Sequence, residues 1–284
     1  LVNRVVGEIQ AKQDLKRIDV EVAQRFLDGA SSLRLYEYQR LDAEAALLLA
    51  KHEGHLFLEG LTELSDAAAE CLAAHGWGLY LGGLTELSDA AAESLGRLKY
   101  SLILSGLEEI SDVVAESLSK SGSAGEGRHP ASALGLKGLT SVSVTAARSL
   151  AKYRGYLRLQ GLRELSDAAA ESLAKLQGKS LSLGGLKEVS DAAVESLAKY
   201  KGPLGLRGLT ELSDAAADSL SRHQGELLAL WDVTKLSDAA AESLAKHKGS
   251  LDLNSLRELS DAAAEWLAKH EGRLGVGGLK NSSR

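Results

Sequence analysis

The feature that most constrains the fold of this chain is a unit of 23 or 24 residues that recurs along most of its length. Residues 251–272 read LDLNSLRELSDAAAEWLAKHEG, and nearly the same string stands at residues 79–99, 181–202 and 204–225. Each copy holds a Leu-x-Leu segment, a turn and a short Ala-rich segment. One copy cannot bury its own leucines, so the pattern predicts a stack of strand–turn–helix units that share one core.

The residue types in each part of the unit are explained by the local structure predicted there. Alternation along Leu-x-Leu turns both leucines inward and the residue between them outward. A serine followed by aspartate is typical of a helix N-terminus, where serine caps a free amide and aspartate faces the positive helix end. The glycine of Lys-x-Gly is predicted to end the helix. The predicted N-caps are Ser65, Ser88, Ser166, Ser190, Ser213, Ser237 and Ser260.

The repeat also predicts the domain organisation. Residues 1–32 are predicted to be a degraded N-terminal capping unit, in which Gln10 and Lys12 replace the strand leucines. Residues 33–279 form the array, with ten full units, the first starting at the strand pair Leu33/Leu35, and a terminal strand. A Gly-, Ser- and Pro-containing insertion near residues 121–133 is predicted to be a loop. Residues 280–284 form a tail, and the last strand leaves an exposed edge that could support self-association.

The unit resembles the leucine-rich-repeat family, and most closely its cysteine-containing type. The matching positions in one unit are Leu81, Leu84, Leu87, Ser88, Asp89, Ala91, Ala92 and Leu95. The resemblance covers residues 18–279 and identifies the chain as a bacterial-like variant with leucine where that type has cysteine or asparagine. It implies an α/β fold: a right-handed solenoid of 23–24-residue units, with parallel strands on a concave face and short α-helices on a convex face. Because Leu61, Leu84 and Leu107 cannot bond the turn amides, another group or water must do so.

Composition excludes several classes of protein. The net charge of −6 argues against nucleic-acid binding, which needs a basic surface. Cys71 is the only cysteine, so no intramolecular disulfide can form. No apolar run reaches the ~20 residues that span a bilayer. No signal peptide is evident and the compartment stays open, with the cytoplasm favoured. The start at Leu1 and the lack of methionine indicate a fragment or processed product of a longer chain.

The repeated polar positions predict no catalytic, cofactor or metal site. The aspartates that follow the N-cap serines could form a cation ladder, but the helix N-terminus already explains them. One histidine position in the last helical turn alternates with leucine and tyrosine, which favours packing over metal binding. Cys71 has no histidine partner at a regular spacing, so an activated thiol is not predicted. The histidines at that position are His52, His75, His223, His247 and His270.

Binding candidates come from the outward strand positions, because these vary from unit to unit while the scaffold does not. The first patch is apolar and aromatic, as interface hot spots often are: Tyr36, Phe57, Tyr80 and Ile103. The second is basic, which suits an acidic peptide or a phosphate-bearing partner: Lys137, Tyr156, Arg158 and Arg207. Trp231, one unit after Arg207, is also predicted to bind the protein partner. The alternative is random variation on a face that needs no core packing.

The sequence therefore predicts a non-enzymatic scaffold that binds a protein or peptide on its concave face, with an acidic partner as one option. One alternative is a structural or surface-display solenoid within a longer chain. Another is the substrate-recognition arm of a multidomain enzyme or effector, which would need a catalytic domain outside these residues.

Overall fold

A computed structural model describes residues 15–30, 32–122 and 132–279, in which short strands and short helices alternate. The strands are β1 (Arg17–Ile18), β2 (Arg40–Leu41), β3 (Leu56–Phe57), β4 (Leu79–Tyr80), β5 (Leu102–Ile103), β6 (Ala133–Gly135), β7 (Tyr156–Arg158), β8 (Ser180–Ser182), β9 (Leu204–Gly205), β10 (Leu227–Ala229), β11 (Ser250–Asp252) and β12 (Leu274–Gly275). The helices are α1 (Val20–Leu27), α2 (Ala43–Leu49), α3 (Asp66–Leu72), α4 (Asp89–Leu95), α5 (Asp112–Ser119), α6 (Val144–Leu150), α7 (Asp167–Leu173), α8 (Asp191–Leu197), α9 (Asp214–Ser221), α10 (Asp238–Ala245) and α11 (Asp261–Leu267).

Strands β3 to β12 form one ten-stranded parallel sheet in which every strand pairs with its neighbours in sequence. The repeat sets the register: Leu56 lies opposite Leu79, which lies opposite Leu102. Each strand-to-strand connection carries one helix, and consecutive helices pack against one another. The predicted α/β leucine-rich-repeat solenoid is confirmed by this ten-stranded sheet with its alternating helices.

The inward leucines form a single core that runs the length of the described array. In the first strand of the sheet, Leu56 and Leu58 are fully buried, whereas Phe57 between them is 48% exposed. Alanines of the helices, such as Ala68 and Ala69, are also fully buried and pack against these leucines. The small side chain allows each helix to lie close to the sheet.

The turn amides are bonded by backbone carbonyls, which accounts for the leucine in place of cysteine or asparagine. The amide of Leu186 donates to the carbonyl of Leu183 three residues earlier, at 3.3 Å. The next amide in several turns donates to the preceding unit, as Arg163 does to Thr140 at 3.1 Å. The turn leucines are therefore free to be apolar, and Leu186 is fully buried.

The predicted serine N-caps are confirmed, and they also link neighbouring units. The Ser213 hydroxyl accepts from the Ala216 amide at 3.0 Å and donates to the Asp191 carboxylate of the preceding unit at 2.5 Å. Similar Ser–Asp bonds join most consecutive helices, with donors Ser88, Ser111, Ser143, Ser190, Ser213, Ser237 and Ser260. Ser166 caps its own helix, but the corresponding residue one unit back is Val144, which has no carboxylate.

The difference between Ser166 and Ser213 allows the contribution of the inter-unit Ser–Asp bond to stability to be measured. Ser166→Ala removes a cap alone, and we expect it to lower the free energy of unfolding by about 1 kcal/mol. Ser213→Ala removes the cap and the bond to Asp191, so we expect roughly 1 kcal/mol more. Urea unfolding of both variants measures the difference. Equal losses would show that the Ser–Asp bonds contribute nothing to stacking.

Two local predictions were wrong. The residues after Leu33 do not form a strand: Leu35–Glu37 is a short 3-10 helix, and the ten-stranded sheet begins one unit later at β3. The glycine of Lys-x-Gly does not end the helix: α10 stops at Ala245, well before Gly249. Gly249 is needed for stacking instead, because a Cβ there would overlap the carbonyl oxygen of Gly225 in the preceding unit.

The N-terminal part of the described chain forms a small sheet of its own. Strands β1 and β2 pair in parallel, and Ile18 on β1 and Ala23 on α1 are fully buried. The predicted capping role of residues 1–32 remains a prediction, since residues 1–14, with Gln10 and Lys12, lie outside the described residues. Residues 123–131 of the insertion and the tail at residues 280–284 also lie outside them.

Candidate binding face

The side of the ten-stranded sheet that faces away from the helices is here called the open sheet face. Its central positions are the residues between the paired leucines: Phe57, Tyr80, Ile103, Gly135, Arg158, Ser182, Gly205, Ala229, Asp252 and Gly275. The strand register places these residues side by side on consecutive strands. The face is therefore a continuous surface whose side chains differ at nearly every strand.

Four ring side chains make contact at the β3–β4 end of this face, and we call them the aromatic cluster: His55, Phe57, Trp77 and Tyr80. The rings of Phe57 and Tyr80 are stacked with centroids 4.6 Å apart. His55 meets Tyr80, Trp77 and Phe57 edge-on at centroid distances of 5.9, 6.1 and 6.3 Å. Phe57 and Trp77 are 48% and 37% exposed, so the cluster offers ring surface to solvent.

The structure brings together only some residues of the first predicted patch. Phe57 and Tyr80 stack, and Ile103 follows on the next strand, where its side chain lies over Gly135. Tyr36 lies apart in the 3-10 helix at 46% exposure, and its hydroxyl accepts from the Arg34 guanidinium at 3.0 Å. No ring contact joins Tyr36 to Phe57 in the part of the chain that the structure describes.

The second predicted patch lies on β6 to β10. Arg158 is on β7 beside Tyr156, Lys137 follows β6, and Arg207 follows β9; all four side chains are exposed. The Arg207 guanidinium lies over the Trp231 ring, 5.0 Å from its centroid. Within residues 15–30, 32–122 and 132–279, none of the three cations has an ion-pair partner.

The aromatic cluster includes two residues that belong to neither predicted patch, His55 and Trp77. His55 stands two residues before Phe57, at the position that Tyr156 takes in a later unit. Trp77 lies just before β4, outside the outward strand positions from which the two patches are predicted. A search for aromatic residues at every position flanking the strands would have found both.

The histidine position forms a stacked column inside the C-terminal units. The rings of His223 and His247 are 5.8 Å apart and those of His247 and His270 are 6.3 Å apart, and both pairs are nearly parallel. His223 and His247 are 2% and 1% exposed. Neither ring nitrogen of His247 has a hydrogen-bond partner among the described residues.

Burial determines the ionisation of this column. Loss of solvent contact, together with the neighbouring His223 and His270, lowers the pKa of His247 from 6.5 to about 4. Burial also lowers the pKa of His223 and of His75. Tyr200, the preceding member of the column, has its pKa raised to about 12 by burial. Burial therefore favours the neutral form of His223 and His247 at pH 7.

The described residues contain no group of three or more His, Cys, Asp or Glu side chains arranged to hold a metal ion. Cys71 is a free, half-buried thiol on α3. In the same part of the chain, no helix has the length and hydropathy that crossing a membrane requires.

The C-terminal end of the described array has partly exposed apolar residues. Leu274, Val276 and Leu279 are half-buried on and after β12, and Trp266 on α11 packs against the core beneath the Lys269 ammonium at 3.9 Å. Self-association through this edge stays a prediction, which light scattering over a concentration series would test.

Several solved structures are similar to this chain at low sequence identity. An internalin from Listeria monocytogenes is 13% identical with a TM-score of 0.45, over 84% of this chain and 76% of that chain. A leucine-rich-repeat protein from Leptospira interrogans is 16% identical with a TM-score of 0.41, over 93% and 76%. The functional domain of InlJ from Listeria monocytogenes, described as including a cysteine ladder, is 12% identical with a TM-score of 0.35, over 79% and 48%. No family model and no curated protein matches the sequence.

Proposed function

We propose that this chain is a non-enzymatic scaffold that binds a protein or peptide on its open sheet face. The observation that carries the proposal is the aromatic cluster, in which stacked rings are held on adjacent strands and still face solvent. Aromatic residues dominate the energetics of protein interfaces because they bury a large area with little loss of side-chain entropy. The scaffold's own core does not need these rings, since the leucines fill it.

The distribution of exposed apolar side chains supports the same face. The strongly exposed aromatic residues of the described chain all belong to the sheet side or its N-terminal approach: Tyr36, Phe57, Trp77, Tyr156 and Trp231. The strongly exposed aliphatic residues lie singly on helices: Val20 on α1, Leu47 on α2 and Val113 on α5. Scattered single residues are ordinary on a surface, whereas a contiguous group favours a binding site.

Peptides selected from a random library on the intact protein provide the test. Strands β3 and β10 are seven strand spacings apart, about 34 Å, and an extended peptide of about twelve residues covers that length. We expect Phe57→Ala and Tyr80→Ala each to weaken the affinity of selected peptides by about tenfold or more. The free energy of unfolding should fall by no more than about 1.5 kcal/mol, because Phe57 is exposed, Tyr80 is half-buried and both lie outside the leucine core.

Leu47→Ala is the matched control, because Leu47 is 54% exposed but lies on a helix. It should leave peptide affinity unchanged. Peptides that bind Phe57→Ala and Tyr80→Ala as tightly as wild type would contradict the proposed site. A structural or display solenoid, the alternative from the sequence, would yield no peptides that depend on these residues.

A further inference from the structure

The middle of the open sheet face has positive charge without internal compensation. On the helices, Lys175, Lys199 and Lys246 each pair with a glutamate four residues earlier, at 2.9, 3.4 and 3.1 Å. Lys137, Arg158 and Arg207 have no such partner within the described residues, although the protein has a net charge of −6. A face that keeps three unpaired cations on an acidic protein is complementary to an anionic partner.

The surface between Arg158 and Arg207 carries only small side chains. The central residues on β8 and β9 are Ser182 and Gly205. A Cβ added to Gly205 would meet nothing closer than the Ser182 hydroxyl at 3.5 Å, so the space above this strand is open. A peptide backbone could therefore approach the sheet here, with Arg158 at one side of it and Arg207 at the other.

Arg207 is held in place for such a contact. Its guanidinium lies over the Trp231 ring, which limits the number of side-chain conformations that binding would have to restrict. A guanidinium that stacks on a ring still has its edge N–H groups free to bond both oxygens of a carboxylate. Because Trp231 is 40% exposed, it also offers ring surface beside that contact.

The distance between the two patches defines the spacing of the ligand. Phe57 on β3 and Arg158 on β7 are four strand spacings apart, about 19 Å. An extended chain rises about 3.3 Å per residue, so about six residues separate a group at the aromatic cluster from a group at Arg158.

We propose that the open sheet face binds an extended acidic segment of a protein, laid across the strands. An apolar or aromatic side chain of this segment contacts the aromatic cluster, and an aspartate or glutamate about six residues away binds Arg158 and Arg207, with Lys137 beside them. This inference rests on the proposed function and adds the chemistry and spacing of the partner.

The test uses the same random-peptide selection, carried out on the intact wild-type protein. We expect the selected peptides to be enriched in Asp or Glu about six positions from an apolar or aromatic residue. Arg158→Gln and Arg207→Gln should each weaken the binding of a selected peptide by about tenfold, and raising the salt concentration should weaken it further. Lys152→Gln, an exposed cation at the end of α6, is the control and should have no effect.

Replacing the Asp or Glu of a selected peptide by Asn or Gln completes a double-mutant cycle with Arg158→Gln. The amide peptide should bind wild type as weakly as the acid peptide binds Arg158→Gln, and combining the changes should add little. Peptides that depend on Phe57 and Tyr80 but are insensitive to Arg158→Gln and Arg207→Gln would overturn this inference and leave the proposed function standing. Peptides insensitive to Phe57→Ala and Tyr80→Ala would overturn both.

Discussion

Lowering the pH from about 7 to about 4 is expected to destabilise the C-terminal units by about 3 kcal/mol through His247 alone, since its pKa falls from 6.5 to about 4 on folding. The unfolded chain takes up the proton near pH 6.5, whereas the folded chain does so only near pH 4. The contribution of His247 to the free energy of unfolding is therefore constant above this window, falls as the pH passes from 6.5 to 4, and levels off below it.

The geometry of the column explains the size of this effect. A proton on His247 is placed between the parallel rings of His223 and His270, at 5.8 and 6.3 Å, where it receives no compensating negative charge from either ring. Because the pKa of His223 is also lowered, its protonation adds to the loss in the same direction. Urea unfolding at a series of pH values, monitored by tryptophan fluorescence, measures the effect.

Two variants of the same position distinguish the column from general acid denaturation. His247→Leu should flatten the pH dependence between 6.5 and 4, because leucine fills the same position in other units, as buried Leu98 and Leu176 do. Leu98→His should introduce a new acid-sensitive step in an N-terminal unit. A His247→Leu protein that loses stability with pH as steeply as wild type would show that the column is not the sensor.

Replacing a turn leucine by asparagine should be strongly destabilising, although asparagine or cysteine occupies this position in the family type that the repeat resembles. Leu186 is fully buried, and its own amide already donates to the Leu183 carbonyl. Leu186→Asn therefore loses apolar burial and brings a polar side chain whose usual backbone partners are already bonded. We expect a loss of about 3 to 5 kcal/mol in the free energy of unfolding.

Leu186→Ala is the matched control, because it removes the apolar contacts without adding a polar group. Its expected cost of about 2 to 4 kcal/mol should be smaller than that of asparagine. Urea unfolding of both variants gives the comparison. If Leu186→Asn were as stable as wild type, the turn amides would have to be available to the side chain, and the backbone bonds described above would not be the reason for leucine.

Most of the fold followed from the sequence because it depends on local periodicity. Leu-x-Leu alternation and the 23-residue step determine which residues face inward and which strands are neighbours, and serine at the N-cap is a local choice. The strand expected at Leu33 failed because a leucine pair alone does not specify a strand: the chain there forms a 3-10 helix before the ten-stranded sheet begins. The role of Gly249 was missed because a close approach to the preceding unit is not a local property.

The repeat register predicts which residues share the open sheet face, but it does not predict which of their side chains make contact. Phe57 and Tyr80 follow directly from the repeat register, and so do Arg158 and Arg207. His55 and Trp77 occupy different positions of adjacent repeat units. Their rings contact the aromatic cluster because of their side-chain conformations, which the repeat register does not specify. Similarly, the sequence shows that Lys137 is a cation, but only the structure shows that no carboxylate of the described chain reaches it.

The most direct test of the account is hydroxyl-radical footprinting of the intact protein with and without a selected peptide. Binding on the open sheet face predicts that Phe57, Trp77 and Tyr80 become protected from oxidation, while Trp266 on α11 reacts at the same rate in both samples. Protection confined to helix residues such as Leu47, with Phe57 and Tyr80 unchanged, would contradict it.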